Sequence, residues 1–176
     1  MNPSLYTACF CEENIWQLGK SIQAEGIQHF NVLFLTNEQK SIALFKQKAV
    51  PQDNVILWDY HVVLHDTKKN LVYDYDTRLG FKNTLVDYFE ATFPPEPFYI
   101  DEYKTSIRII NLEVYLNHFS SNRKHMIANG LPLQPMPPWP KIQNIEPLTL
   151  QNLWDLNHHQ FISKTVSPEE YLQGFM

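Results

Sequence analysis

The chain has 176 residues, of which 44% are hydrophobic, 14% aromatic and 19% charged, and its formal net charge is −5. This length and composition are typical of one folded domain and exclude a disordered chain. Proteins that bind nucleic acid or anionic membranes are normally basic, so the negative charge argues against both partners. No apolar run approaches the roughly 18 residues of a membrane span, and no signal-peptide pattern is visible, which predicts a cytoplasmic protein.

The first periodic pattern predicts a helix that begins at Cys11. Apolar residues recur at helical spacing after it, namely Ile15, Leu18 and Ile22. Cys11 therefore starts the buried face of this helix. Glu12 and Glu13 fall in the first turn, where the helix macrodipole favours acids, and Gly26 marks the end of the segment.

Strand-like segments follow the helix, at residues 30–36, 41–45, 55–65 and 71–76. They are rich in β-branched and aromatic residues and are bounded by polar turns. Residues 37–40 separate the first two strands. Residues 66–70 connect the last two as a hairpin.

The second half of the chain mixes helices and strands. We expect a short helix capped by Asn83 or Thr84 and stopped by Pro94-Pro95, and a final helix over about 167–174, where Ser167 opens a capping box. Between them the patterns predict a strand at 107–110, helices at 112–119 and 150–156, and a Pro-rich excursion at about 130–147. This order predicts a single α+β domain over residues 1–176, with a mostly antiparallel sheet flanked by helices.

Cys11 is the candidate nucleophile. A thiol reacts as the thiolate, and a helix N-terminus lowers the pKa of a thiol placed there. The only other cysteine, Cys9, lies two residues earlier and is interpreted as structural, since two cysteines make no disulfide framework. Taken alone, a cysteine on an apolar helix face is most often a small core residue.

His61 is the candidate base, because it lies in the middle of the predicted strand 55–65. Period-two alternation puts it on the same face as Asp59, and puts Trp58 and Tyr60 on the opposite face. A mid-strand histidine is also common as a structural group. The combination with Cys11 is therefore more informative than either residue alone.

The hairpin register indicates which acid orients His61. A loop at 66–69 pairs His61 with Asp74, whose carboxylate would accept the Nδ1–H group. A loop at 67–70 pairs His61 with Asp76 instead. We favour Asp74, although both registers remain open at this level.

The histidines, cysteines and basic residues suggest two further features, a zinc site and a basic loop. A zinc site built from Cys9, Cys11, His61 and His65 is disfavoured, because Cys-x-Cys is not the usual zinc-binding spacing. Residues 122–125 are expected to form an exposed basic loop, with lining of a cleft by its arginine or histidine as the alternative.

Several segments resemble the protein N-terminal glutamine amidohydrolase family, in the same order along the chain. They are residues 6–16 (YTACFCEENIW), 37–38 (NE), 58–64 (WDYHVVL), 73–77 (YDYDT), 115–116 (YL), 122–126 (NRKHM) and the Pro-rich stretch ending at Pro140. The first and third of these segments are long and unusual in composition. Together the matches cover most of residues 6–150.

The resemblance implies a papain/transglutaminase-like cysteine hydrolase fold with a catalytic triad. By motif, the triad falls on Cys11, His61 and Asp74. The implied reaction converts an N-terminal glutamine to glutamate with release of ammonia. In eukaryotes this reaction feeds the arginylation branch of the N-degron pathway. It needs no cofactor and no metal.

Such a reaction requires acceptors for the free α-ammonium group of a protein or peptide substrate. Glu12, Asp59 and Asp76 are the candidates. We expect a monomer whose partners are polypeptides with a free N-terminal glutamine. The alternatives are a catalytically silent module that binds peptide ends and a transglutaminase-like acyl transferase.

Overall fold

The computed structural model describes residues 6–51, 54–93 and 100–176. The N-terminal residues 1–5, and the Pro94-Pro95 pair predicted to stop a helix, lie outside the described residues.

The α-helices of the described residues all occupy segments in which a helix is predicted. They are α1 (Cys11–Ile22), α2 (Leu85–Thr92), α3 (Leu112–His118), α4 (Leu150–Trp154) and α5 (Pro168–Gln173). Two predicted caps are confirmed. The Thr84 side chain accepts the Asp87 backbone N–H at the start of α2. Ser167 and Glu170 form the capping box of α5.

The strands are more numerous than predicted, and their bounds differ from the prediction except at residues 30–36. They are β1 (Phe30–Thr36), β2 (Ile42–Leu44), β3 (Ile56–Trp58), β4 (His61–Asp66), β5 (Leu71–Tyr73), β6 (Lys82–Thr84), β7 (Ser106–Asn111), β8 (Ile127–Ala128), β9 (Leu131–Pro132) and β10 (Lys164–Val166). The sequence patterns missed β6, β10 and the β8–β9 hairpin, since segments of two or three residues are too short to show alternation.

Six strands form one sheet in the order β10-β7-β1-β4-β5-β6, and all of its neighbours pair antiparallel. The predicted α+β class with a mostly antiparallel sheet is thus confirmed. Helices α1 and α3 pack on one face of the sheet, over core residues such as Phe34 and Leu64. Helices α2 and α5 pack on the other face, over residues such as Leu35 and Val63.

The predicted strand 55–65 is wrong as a single element. Its first part, β3, pairs with β2 in a separate two-stranded sheet, whereas its second part, β4, lies in the main sheet beside β1. Asp59 and Tyr60 lie between the two parts. The Asp59 carboxylate accepts the Tyr60 backbone N–H at 3.0 Å, and Thr36 Oγ1 donates to the Asp59 carbonyl at 3.2 Å. These hydrogen bonds stabilise a bend between β3 and β4. Because of this bend, the alternation of side chains along β3 does not continue into β4.

The favoured hairpin register is also wrong. Asp66 pairs with Leu71 and Leu64 with Tyr73, so the loop spans residues 67–70. Asp66 Oδ1 accepts the backbone N–H groups of Lys68 and Lys69, at 3.1 and 3.0 Å, which stabilises the loop one position later than predicted. This register points toward Asp76 as the partner of His61, but β5 ends at Tyr73 before the pairing reaches that level.

Among the described helices, none combines the length and the apolar character that crossing a lipid bilayer requires.

Arg108 joins the sheet to the C-terminal part of the chain. It lies in β7 and is fully buried. Its Nη1 group donates to the carbonyls of Asn152, Leu153 and Asp155 at 2.6–2.9 Å, and its Nη2 group donates to the carbonyl of His158. One guanidinium therefore satisfies carbonyls that the end of α4 leaves without helical partners.

Replacing Arg108 by Met is expected to lower the free energy of unfolding by about 3 kcal/mol or more, because four carbonyls lose the same buried donor together. Urea denaturation followed by circular dichroism measures this change. Arg78→Met is the control, since Arg78 is exposed and donates to the Gln47 carbonyl at 2.9 Å. Its cost should stay within about 1 kcal/mol. Equal costs for the two variants would contradict the role given to Arg108.

Candidate active site

Cys11 is the first residue of α1, and its side chain is 9% exposed. The loop before it is fixed by Asn14, whose side chain accepts the Thr7 backbone N–H at 2.9 Å and donates to the Thr7 carbonyl at 2.8 Å. Within this loop Cys9 adopts a left-handed conformation with φ 66°. The turn delivers the Cys11 thiol to the helix N-terminus on the side that packs against β4.

His61 is the first residue of β4, and its Nε2 atom lies 3.0 Å from Asp74 Oδ1. Both side chains are buried. Asp74 directly follows β5, and its backbone N–H donates to the Phe81 carbonyl at 3.0 Å. The chain thus turns at Asp74 and directs the carboxylate toward His61.

The carboxylate of Asp74 is fully engaged. Its Oδ1 atom also accepts the Asp76 backbone N–H at 2.8 Å, and its Oδ2 atom accepts the Tyr88 hydroxyl at 2.9 Å. Sequence reasoning missed Tyr88. No local pattern distinguishes it from the other tyrosines, because the contact depends on how α2 packs under the sheet.

The contact between His61 and Asp74 uses the ring nitrogen opposite to the predicted one. We expected the Asp74 carboxylate to accept from Nδ1, and it accepts from Nε2. The predicted strand pairing also does not produce the contact, which forms where Asp74 turns out of β5. The Nδ1 atom of His61 is consequently the ring nitrogen left to exchange a proton with a reactant.

Cys11 and His61 line one cavity of about 550 Å³. Among the predicted substrate-binding acids, Asp59 and Asp76 line it too, whereas Glu12 lies buried outside the lining. The other lining residues are Tyr6, Ala8, Cys9, Lys48, Ala49, Trp58, Tyr60, His125, Met126, Leu133 and Gln134. The expectation that Trp58 and Tyr60 face away from His61 is therefore wrong, because the bend between β3 and β4 brings them to the same cavity.

Glu12 lies directly behind the thiol. The Cys11 Sγ atom donates to Glu12 Oε2 at 3.8 Å, and the Tyr60 hydroxyl donates to the same oxygen at 2.8 Å. The Tyr115 hydroxyl donates to the backbone carbonyl of Glu12 at 3.0 Å. Burial raises the pKa of Glu12 to about 7, even though hydrogen bonds from its own backbone, from Tyr60 and from Cys11 favour the ionised form.

Burial also raises the pKa of the Cys11 thiol well above its usual range, and the charges of Glu12, Asp76 and Asp59 add to this effect. A hydrogen bond from the Val62 backbone acts in the opposite direction. The raised pKa favours the neutral thiol, so forming a thiolate at this position requires a base.

The pKa values of His61 and Asp74 move apart. Burial lowers the pKa of His61, but the charge of Asp74 and the hydrogen bond to it outweigh burial and raise the pKa overall. Burial likewise raises the pKa of Asp74, but the charge of His61 and its hydrogen bond, with those from Asp76 and Tyr88, lower it overall. The pair thus stabilises the imidazolium that forms when His61 accepts a proton.

Arg123 is buried against α1, which corrects the expectation of an exposed basic loop. Its Nε and Nη2 atoms donate to the two carboxylate oxygens of Glu13 at 2.7 and 2.6 Å. Trp139 Nε1 donates to Glu13 Oε2 at 2.7 Å. The neighbouring His125 places its Nε2 atom 3.3 Å from the Tyr60 hydroxyl. These contacts connect the Pro-rich excursion to the first turn of α1.

Metal-ligating atoms also meet at this site. Within the described part of the chain, ligand atoms of His61, Asp74 and Asp76 lie within 4.8 Å of one another. The Asp74 oxygens are already satisfied by three protein donors, so the geometry needs no ion to explain it. His65 does not join the site, because its Nδ1 atom lies 2.7 Å from the hydroxyl of Tyr171, a residue of α5.

The sequence was compared with those of known proteins. Residues 6–175 match the family model for N-terminal glutamine amidase. The chain belongs to the N-terminal glutamine amidase family. It is 36% identical over 146 residues to the protein N-terminal glutamine amidohydrolase of Homo sapiens, covering 79% of this chain and 71% of that protein. It is 35% identical over 175 residues to the enzyme of the same name from Caenorhabditis elegans, covering 96% and 94%.

A third relative with that name, from Drosophila mojavensis, is 37% identical over 145 residues, covering 78% of this chain and 71% of the relative. The predicted family is thus confirmed, and with it the class of enzyme, an amidohydrolase.

The contact between His61 and Asp74 predicts how the pKa of His61 changes when the Asp74 charge is removed. In Asp74→Asn, burial acts on His61 without the opposing charge, so the pKa of His61 should fall from above to below its usual value of about 6.5. NMR titration of the His61 ring protons measures it. Tyr88→Phe keeps the Asp74 charge and should move the pKa of His61 much less.

The pKa shifts of His61 and Asp74 also determine how the stability of the fold depends on pH. The raised pKa of His61 stabilises the fold fully below the unfolded value of about 6.5, and this contribution is lost as pH rises through the folded pKa. The lowered pKa of Asp74 stabilises the fold above the unfolded value of about 3.9. Asp74→Asn should therefore be most destabilising between these two values. A stability loss that is independent of pH would contradict the charge pairing.

Proposed function

We propose that the chain hydrolyses the side-chain amide of an N-terminal glutamine in a protein or peptide, leaving glutamate and releasing ammonia. The observation that carries this proposal is a thiol at a helix N-terminus that shares a cavity with a histidine, in a member of this amidase family. The ring of that histidine contacts a buried carboxylate. Relatives over most of the chain carry the name of this activity.

The proposed triad consists of Cys11 as nucleophile, His61 as base and Asp74 as its orienting acid. The Nδ1 atom of His61 takes the thiol proton as the sulfur attacks the carboxamide carbon of the substrate. The imidazolium then protonates the amide nitrogen, which leaves as ammonia when the C–N bond breaks. The product of this half-reaction is a thioester on Cys11.

Water completes the cycle. His61 accepts a proton from the attacking water, the C–S bond breaks, and the proton returns to the sulfur as glutamate forms. Asp74 holds the imidazole with Nε2–H directed to itself and stabilises the charged form in both half-reactions. Backbone N–H groups at the start of α1 are suited to stabilise the oxyanion. A donor of this kind is typically worth about 2.7–4 kcal/mol.

The papain/transglutaminase-like fold is part of the proposal. Its support is the arrangement of the elements, since α1 carries the thiol and packs against β4, which begins with His61 in an antiparallel sheet. The predicted cytoplasmic location, monomeric state and link to the arginylation branch of the N-degron pathway stay predictions.

Asp59 and Asp76 are proposed to bind the α-ammonium group of the substrate. Both carboxylates line the cavity with Cys11 and His61, and a cation is stabilised by carboxylates held at such a partly dry wall. The Tyr6 hydroxyl donates to Asp76 Oδ1 at 2.6 Å and fixes the direction of that side chain.

Purified protein should release ammonia from a Gln-initiated peptide and add the mass of a Gln-to-Glu conversion, and Cys11→Ala should lose essentially all of this activity. Mass spectrometry of peptides that begin with Gln, Asn or N-acetyl-Gln measures the reaction and its specificity. We expect conversion of the Gln peptide alone. The Asn side chain is one methylene shorter, and acetylation removes the ammonium charge.

Cys9→Ser is the matched control, because it changes the other cavity thiol and should remain active. Full activity of Cys11→Ala would overturn the assignment of the nucleophile. Binding of the Gln peptide without turnover would replace the proposal by a peptide-end-binding module.

A further inference from the structure

The Cys11 thiol lies among carboxylates. Glu12 Oε2 is 3.8 Å from Sγ, and Asp59 and Asp76 line the cavity into which the thiol opens. A thiolate at this position would add a further negative charge beside these carboxyl groups. Like charges in such an environment oppose each other strongly.

The groups that face the thiol come from every element packed around it. They are Glu12 on α1, Asp59 and Tyr60 between β3 and β4, His61 on β4, Asp76 after β5, Tyr115 on α3, and Tyr6, Cys9, Lys48 and His125 at the cavity wall. The Lys48 ammonium donates to the Tyr75 carbonyl at 2.6 Å, at an exposed position. The basic groups are thus His61, which Asp74 already engages, His125 and this lysine.

The carboxylates are held rigidly rather than left to swing away. Tyr60 fixes Glu12 at 2.8 Å, and Tyr6 fixes Asp76 at 2.6 Å while its ring stacks on Tyr75. Asp59 is fixed by the Tyr60 backbone N–H at 3.0 Å. Such anchoring maintains the negative field at the sulfur in the empty cavity.

We propose that Glu12, Asp59 and Asp76 keep the Cys11 thiol protonated until the α-ammonium group of a substrate enters the cavity and neutralises part of their charge. This inference rests on the proposed function for the identity of the cation. It gives the ammonium group a second role. Besides binding, it allows His61 to deprotonate the Cys11 thiol.

The consequence is specificity through reaction rate. An N-acetylated or internal glutamine that reaches the cavity brings no charge, so the thiol is deprotonated less often and the carboxamide is attacked more slowly. The discrimination against such substrates then appears in kcat and not only in KM. Glu12 acts here as a positioning residue, because it lies behind the sulfur and outside the cavity lining.

Alkylation of Cys11 by iodoacetamide tests the electrostatic part without any substrate. In a Cys9→Ser background Cys11 is the only thiol of the chain. Glu12→Gln, Asp59→Asn and Asp76→Asn should each alkylate faster at neutral pH, by about three-fold for each unit by which the pKa of Cys11 falls. The factor is about three rather than ten because a less basic thiolate is also less nucleophilic.

Glu90→Gln is the control for a general change of net charge, since Glu90 lies exposed on α2. It should leave the alkylation rate unchanged. Tyr115→Phe serves as a control for packing around Glu12, because this hydroxyl contacts the Glu12 carbonyl and not its carboxylate. If Glu12→Gln does not fold, as judged by thermal melting, the two aspartate variants at the cavity wall still decide the outcome. Unchanged or slower alkylation in the folded carboxylate variants would overturn the proposal, as would equal acceleration in Glu90→Gln.

Turnover kinetics test whether the α-ammonium group of the substrate activates the thiol. The ratio of kcat for a Gln peptide to kcat for its N-acetyl form should fall in the three carboxylate variants, although their thiol is more reactive. If the ratio stays at the wild-type value while alkylation accelerates, the ammonium group does not activate the thiol and the inference fails. If wild-type protein releases no ammonia from the Gln peptide, the proposed function fails, and the alkylation series still shows whether these carboxylates suppress the thiolate.

Discussion

The site depends on the buried hydrogen bond between His61 and Asp74. Two ionisable groups inside a protein are costly to desolvate, and their attraction offsets this cost only when the remaining polar atoms are satisfied. Here the Tyr88 hydroxyl and the Asp76 backbone N–H complete the Asp74 carboxylate. The pair in turn requires α2 under the sheet and the turn after β5, so the local fold around the site is organised to support one contact.

The parts of this arrangement that could be predicted from the sequence are those set by local patterns. Helical spacing placed Cys11 at the start of α1, and a Ser-Pro-Glu-Glu segment marked the start of α5. The partnership of His61 with Asp74 was also anticipated, but through a hairpin register that the structure does not have. The correct contact arises because the chain leaves β5 at Asp74, and alternation alone does not specify where a strand ends.

The remaining features depend on contacts between residues far apart in sequence. The bend at Asp59 and Tyr60 is set by Thr36 on a neighbouring strand, and it moves Trp58 and Tyr60 into the cavity. The burial of Arg123 also depends on a contact with a residue far away in the sequence. In the sequence it belongs to a polar basic segment, and only its approach to Glu13, 110 positions earlier, explains its burial. Neither contact leaves a periodic pattern that could have revealed it.

The two glutamates of α1 show how differently neighbouring carboxyl groups are stabilised. Glu13 meets the guanidinium of Arg123 and the indole N–H of Trp139, as expected of a buried carboxylate with a structural role. The Glu12 carboxyl meets a tyrosine hydroxyl and the thiol of Cys11. A buried acid held next to a thiol by neutral donors is a costly arrangement, and burial raises the pKa of Glu12 to about 7. Since a packed apolar residue would be cheaper for stability at this position, the carboxyl group is best explained by its electrostatic effect on the sulfur.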